Sequence, residues 1–232
     1  MRNWPDGTGP LAGNCKLDAG VARTRSRPIP SGRVSPKQAL IFMVAQALVG
    51  LVVLLQFNTF AIVTGLCSLG VVAAYPFMKR ITYWPQSVLG LAFSWGALMG
   101  FAATLSFLPP PAWILYIGCV AWTIGYDTIY AIQDVEDDAL MGVKSTARLF
   151  GHRAPLWIGG FYAFAWAMFA VAAYLSFGGW PSFLGLVAVA VHMGWQLRTL
   201  DLNDGQQALR LFKSNNVAGW IVFIGFAADI WI

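Results

Sequence analysis

Five carboxylates stand within twelve residues of this chain: Asp127, Asp134, Glu136, Asp137 and Asp138, inside the run YDTIYAIQDVEDDALMGVKS from Tyr126 to Ser145. They are half of the ten Asp and Glu among 232 residues. The stretch before them, Trp113 to Gly125, carries no charge. Charge at the mouth of an apolar helix is costly to place and marks a functional site by default. If one helix runs through the segment, Asp127, Asp134 and Asp138 share a face, with Tyr130 beside them. Like charges on one face repel, so the face calls for a cation. Hard oxygen donors suit Mg2+, which takes one or two carboxylates and completes its shell with water and substrate phosphates.

The elements that must hold these groups follow from composition. The chain is 58% hydrophobic, 15% aromatic and 11% charged, with mean hydropathy +0.62. Soluble domains carry about 25% charged residues. The fold class expected is all-α, a polytopic membrane helix bundle. Apolar runs long enough to cross a bilayer fall at about Ala39–Leu55, Phe60–Phe77, Ser87–Leu108, Trp113–Ile132, Pro155–Ser176, Phe183–Leu200 and Val217–Ile232, seven spans in all. Lys and Arg alternate across them. Arg23, Arg25, Arg27, Arg33 and Lys37 precede the first span. Lys79 and Arg80 fill the second connection, Lys144, Arg148 and Arg153 the fourth, and Arg198, Arg210 and Lys213 the sixth. The connections Gln56–Thr59, Pro109–Pro111 and Phe177–Pro181 have none. The basic connections therefore face the cytoplasm or its equivalent. The net charge of +5 belongs to one membrane face and requires no nucleic-acid partner.

Cys15, Cys67 and Cys119 are scattered, without metal-ligand spacing, and read as small packed hydrophobes. His152 and His192 have no partner spacing and read as structural. Gly90, Gly96 and Gly100 suggest close helix packing. A transporter would place ionisable groups near the bilayer midplane around broken helices. Here the spans are almost free of such charge, and the polar layer gathers at the basic mouth. That arrangement suits an enzyme acting on a substrate with a polar head and a lipid tail.

The YDTIYAIQDVEDD run, followed by GVKST, resembles the second acidic motif of UbiA-type aromatic prenyltransferases, most of all those that act on 4-hydroxybenzoate in ubiquinone synthesis. ARTRSRPIPSGRVSP (Ala22–Pro36), YPFMKRITYWPQSVLGLAFSWG (Tyr75–Gly96) and LFKSNNVAGW (Leu211–Trp220) resemble further loops and helices of that family in the same order. The resemblance covers residues 18 to 232, with the transmembrane domain drawn at 23–232. It implies a Mg2+-dependent membrane enzyme that moves a polyprenyl group from its diphosphate to the ring of an aromatic acid. Its partners would be polyprenyl diphosphate, 4-hydroxybenzoate or a similar acid, and the lipid bilayer. The membrane would be the bacterial inner membrane or, alternatively, the mitochondrial inner membrane, with the acidic site on the cytoplasmic or matrix side.

By the same resemblance Asp134 and Asp138 match the metal-binding DxxxD, and Asp127 stands one heptad earlier. Lys79, Arg80 and Lys144 match basic positions that stabilise diphosphate or benzoate oxygens, or else they are topology determinants. Tyr126 and Tyr130 shield an allylic cation with their ring faces, or else belong to an interfacial aromatic belt. Arg27 and its neighbours bind diphosphate or anionic lipid head groups. Glu136 and Asp137 are solvated loop charges. The family's first motif, NDxxDxxxD, departs here. Asp18 falls at its last Asp, but Asn14 and Leu11 stand where the other two belong. The family has about nine spans, so residues 1–22 are expected to be an irregular segment, unlike the family up to about residue 17, on a shortened chain. With that motif mostly missing, transfer is expected to be impaired in this chain, and a non-catalytic remnant that binds lipid diphosphate or a membrane partner is the alternative expectation.

Overall fold

The computed structural model describes residues 28–29, 31–140 and 142–231, apart from the side chain of Asp137. The segment 1–22 with Asp18, and Arg27 beyond it, lie outside the described residues. The chain divides into two units, Met1–Gln56 and Phe57–Ile232.

The described part of the first unit is one helix, α1 (Pro36–Leu54). Pro36 suits the first helical position, where no N–H is needed. Ser35 and Gln38 close a capping box over it, each side chain accepting the other's backbone N–H. None of its residues is buried within the protein.

The second unit comprises α2 (Thr59–Ile81), α3 (Pro85–Phe93), α4 (Trp95–Leu105), α5 (Pro110–Ile132), α6 (Val135–Leu140), α7 (Thr146–Phe150), α8 (Ala154–Leu175), α9 (Trp180–Thr199) and α10 (Gly205–Ala228). Its long helices alternate in direction, so two ends are defined. At the end without Lys or Arg, Asn58 caps α2 through Ala61 N–H, at 2.9 Å. Its amide donates to the carbonyls of Ala102 and Ala103, at 2.9 and 3.0 Å. At the same end Asp229 accepts the N–H groups of Gly179 and Ser182, at 3.0 and 3.2 Å, together with the Ser182 hydroxyl. The opposite, basic end holds the connections 82–84, 133–145 and 200–204.

α5 is the axis of this unit. It packs along α8 and also meets α3 and α10. The approach to α8 is close enough to exclude a side chain at two points. A Cβ on Gly118 would lie 2.9 Å from Met168 and Phe169, and one on Gly125 would lie 2.6 Å from the Tyr162 ring. Ile129, Ile158, Ala165, Phe169, Leu186 and Val189 fill the core between α5, α8 and α9.

Several sequence expectations change. The span expected as Ser87–Leu108 is broken at Ser94 into α3 and α4. Of its three glycines only Gly90 packs closely, its Cβ position falling 3.0 Å from the Val120 carbonyl. Gly96 and Gly100, beyond the break, meet nothing within 4 Å. Among the described residues six helices are long and apolar enough to cross a membrane: Pro36–Leu54, Thr59–Ile81, Pro85–Leu105, Pro110–Ile132, Thr146–Leu175 and Gly205–Trp231. α9, the expected Phe183–Leu200 span, is not among them, because His192, Gln196 and Arg198 lower its hydropathy. The last helix starts at Gly205 under an Asp204 cap, not at Val217. Arg210 and Lys213 therefore lie on a helix and not in a connection.

Candidate active site

The acidic segment does not continue as one helix. α5 ends at Ile132, and Gln133 and Asp134 form a turn, their N–H groups reaching Tyr130 and Ala131 carbonyls at 3.3 and 3.2 Å. α6 then begins, with Asp138 N–H donating to the Asp134 carbonyl at 2.7 Å. The shared helical face expected from the spacing of Asp127, Asp134 and Asp138 is thus replaced by a turn. The turn still returns Asp134 to within electrostatic reach of Asp127. Lys79, in the last turn of α2, and Gln86, on α3, also lie within electrostatic reach of Asp127.

α6 is closed by a glycine. Gly142 adopts φ +67°, with Val143 N–H reaching the Asp138 carbonyl at 2.9 Å and Gly142 N–H the Ala139 carbonyl at 3.4 Å. This is the Schellman pattern, in which a left-handed residue satisfies the last carbonyls of a helix. Arg148 secures the same loop by donating to the Asp138 carbonyl, at 3.2 Å, and to the Val143 carbonyl. Asp134 and Asp138 are half-buried and Glu136 is exposed.

Gln86 is held by a buried polar knot. Its Oε1 accepts Thr146 N–H at 3.2 Å. The hydroxyls of Thr146 and Thr128 bond each other at 2.7 Å, and Thr128 also donates to the Ile124 carbonyl at 2.6 Å. Thr128 and Thr146 are fully buried. Three elements, α3, α5 and α7, are thereby joined beside Asp127, and the buried hydroxyls of Thr128 and Thr146 each have a partner.

Beside this site a cavity of about 740 Å³ opens among α3, α4, α5 and α10. Ser94, Trp122, Tyr126, Phe212, Lys213 and Asn216 are among its lining residues. Phe212 packs against Tyr126 and Tyr130, with ring centroids 5.8 and 4.7 Å apart. Trp122 donates its indole N–H to Asn215 Oδ1 at 3.0 Å. Behind α10, Tyr162 donates to Gln196 Oε1 at 2.8 Å, and Gln196 donates to the Leu211 carbonyl and the Ser214 hydroxyl at 3.0 and 2.8 Å. The Ser214 hydroxyl lies 3.2 Å from His192 Nε2.

The structure therefore gathers Asp127, Asp134 and Lys79 and sets Tyr126 and Tyr130 on the neighbouring wall. Arg80 is exposed at the end of α2. Lys144 occupies a different place: its ammonium donates to the Ile81 carbonyl at 3.1 Å and lies 5.5 Å from the Tyr83 ring. It docks on the C-terminal end of α2, where a cation is favoured by the helix dipole. Residues not singled out in sequence include Gln86, Thr128, Thr146, Asn215 and Tyr75, which lies within electrostatic reach of Asp127 and Tyr130. Polar residues placed inside apolar helices were the available signal for them. Among the described residues no three His, Cys, Asp or Glu converge as a metal site. The donor set that is present, two carboxylates with open surroundings, fits a hard cation that keeps water or phosphate in the rest of its shell.

An all-helical membrane bundle with an acidic helix mouth beside an aromatic cavity has counterparts among known proteins. A sequence profile of the UbiA prenyltransferase family matches residues 14–226, and the chain is a member of that family. It is 44% identical over 210 residues to the mitochondrial 4-hydroxybenzoate polyprenyltransferase of Arabidopsis thaliana, covering 90% of this chain and 52% of that one. It is 41% identical over 215 residues to the 4-hydroxybenzoate octaprenyltransferase of Pseudomonas fluorescens, covering 92% of this chain and 72% of that one. The chain thus spans about half the length of several curated relatives it matches, and nearly three quarters of the bacterial one. In fold it superposes on the apo structure of a UbiA homolog from Aeropyrum pernix K1 with TM-score 0.81 at 23% identity, covering 94% of this chain and 82% of that one. A digeranylgeranylglyceryl phosphate synthase structure superposes with TM-score 0.68 at 18% identity, over 94% of this chain and 78% of that one. The protein is an integral membrane protein.

Proposed function

We propose that the chain transfers a polyprenyl group from polyprenyl diphosphate to the ring of 4-hydroxybenzoate, at the carbon beside the phenol oxygen. The observation that carries this is the convergence of Asp127, Asp134 and Lys79 at the basic end, beside a cavity walled by Tyr126, Phe212 and Trp122. The names of the relatives support the same substrates.

In the reaction the allylic C1–O bond breaks and its electron pair leaves with the diphosphate. A ring carbon of the acceptor bonds to C1 and then loses its proton. Lys79 places positive charge near the departing diphosphate. Asp127 and Asp134 are the residues that would hold Mg2+, with Asp138 as a further donor. The ion would supply Lewis-acid neutralisation of the diphosphate charge. Tyr126 and Tyr130 present ring faces that favour a cation, and Phe212 packs against both and helps keep water away. Gln86 orients Asp127, and the Thr128–Thr146 pair orients Gln86. The polyprenyl tail lies among apolar side chains. By the distribution of Lys and Arg the site faces the cytoplasm or mitochondrial matrix. The names of the relatives do not favour the non-catalytic alternative.

The test is to reconstitute the chain in lipid vesicles with 4-hydroxybenzoate, a polyprenyl diphosphate and Mg2+. The expected result is prenylated acid formed by the wild type and lost in Asp127→Asn. Absence of product, with the acidic site intact and the protein folded, refutes the proposal.

A further inference from the structure

The break between α3 and α4 puts the start of an eleven-residue helix inside the bundle, at the wall of the large cavity. No proline causes it. Tyr116 donates its hydroxyl to the Leu91 carbonyl at 3.0 Å, the acceptor that Trp95 N–H would use in an unbroken helix. Ser94 stands at the break and lines the cavity. It is 6% exposed, and its hydroxyl has no hydrogen-bond partner among the described residues. A buried hydroxyl without a partner is costly and asks for an explanation. The first amides of a helix add a partial positive charge that favours an anion, and half-helix N-termini within a membrane bundle serve to hold substrate carboxylates. Lys213 on the facing α10 adds a full positive charge to the same cavity.

We propose that Ser94 and the N-terminus of α4 form the subsite for the carboxylate of an aromatic acid, with Trp122, Tyr126 and Phe212 as the walls around its ring. The subsite rests on the transferase reading for the identity of the acid, 4-hydroxybenzoate. It divides the labour of the molecule. Diphosphate goes to Lys79 and to the Mg2+ that Asp127 and Asp134 would hold, and the acceptor's charge is held on a different element, so neither anion competes for the other's contacts. Ser94 is a positioning residue: it fixes the acid and leaves the bond-making atoms to the neighbouring wall.

The experiment uses the full chain in nanodiscs, as wild type, Ser94→Ala and Ser94→Thr, with no prenyl diphosphate present. Equilibrium binding of labelled 4-hydroxybenzoate and of the neutral 4-hydroxybenzyl alcohol is measured, together with the ligand-free melting midpoint. Ser94→Ala is expected to weaken binding of the acid about tenfold or more, since hydrogen bonds to charged groups are the strong ones. Binding of the neutral alcohol stays unchanged. The ligand-free midpoint rises by about 2–4 °C, because an unpartnered buried group has been removed. Ser94→Thr keeps a hydroxyl and restores acid binding. A purely structural Ser94 would instead lower stability and the binding of both ligands together, and that result overturns the proposal. So does acid binding by Ser94→Ala equal to the wild type, or no acid binding by the wild type. Acid bound through Ser94 by a chain that transfers nothing keeps the subsite and refutes the reaction. Transfer with an unchanged KM for the acid in Ser94→Ala keeps the reaction and removes the subsite.

Discussion

The two ends of the second unit use the same chemical group in opposite ways. At one end Asp229 is satisfied by three donors, two backbone N–H groups and the Ser182 hydroxyl. It acts as a cap in trans for α9, whose own leading residue, Gly179, has no side chain to offer. At the other end Asp127 stands within electrostatic reach of Asp134, and Lys79 and Gln86 lie within reach of Asp127. The first arrangement stabilises the protein and leaves nothing over for a ligand. The second keeps repulsion in place until a ligand relieves it. A carboxylate's role here is read from how many donors it already has.

The contrast breaks most visibly through the carboxylates themselves. Asp127→Asn and Asp134→Asn should each lower turnover by roughly 10²–10³ and leave the melting midpoint unchanged or higher. Asp229→Asn should lower the midpoint and leave the turnover of folded protein intact. Steady-state rates beside thermal unfolding check both halves, and a lower midpoint in Asp127→Asn would undo the distinction. Chelation should act only at the acidic end: EDTA abolishes turnover, added Mg2+ restores it, and unfolding in detergent is little changed. Within the acidic end, Asp138→Asn should reduce Mg2+-dependent binding of prenyl diphosphate more than Glu136→Gln, because Glu136 is exposed to solvent. Equal losses would mean that the local charge matters and the placement does not.

Smaller effects test the supports. Thr146→Val removes a hydroxyl from the knot and leaves Thr128 with one partner fewer. A cost of about 1–3 kcal/mol is expected from an impaired buried polar group, read as a lower midpoint, with turnover falling as Gln86 loosens. Gly142→Ala should cost roughly 1–2 kcal/mol, the penalty of a left-handed backbone for a residue with a Cβ. Its turnover should fall less than that of Asp138→Asn. A neutral Gly142→Ala would show that the end of α6 is free to rearrange.

The all-helical membrane fold was legible from hydropathy and the alternation of basic connections, and the family from spaced motifs. What escaped was local. The spacing of Asp127, Asp134 and Asp138 fits a helical face, yet Gln133 and Asp134 turn, and no glycine or proline stands there to signal it. The polar first half of α10, with Gln206, Gln207, Arg210, Lys213 and Asn215, reads as a loop. It is helical because Lys213 and Asn215 face the cavity and Ser214 joins a buried network, a tertiary reason that a hydropathy window does not register. Gln86 and Thr146 are ordinary residues in sequence and acquire a role only through each other.

The meeting of Gly185 and Gly225 has a mechanical consequence. A Cβ on either would lie 3.1 Å from the other's Cα, so α9 and α10 touch backbone to backbone near one end. Near the other end Gln196 bolts them through Leu211 and Ser214. Two fastenings that far apart make the pair a single stiff plate. The opposite side of the cavity is α3 and α4, jointed at Ser94. The plate carries Phe212 and Lys213, so it is the stiff wall of the cavity against which substrates would seat.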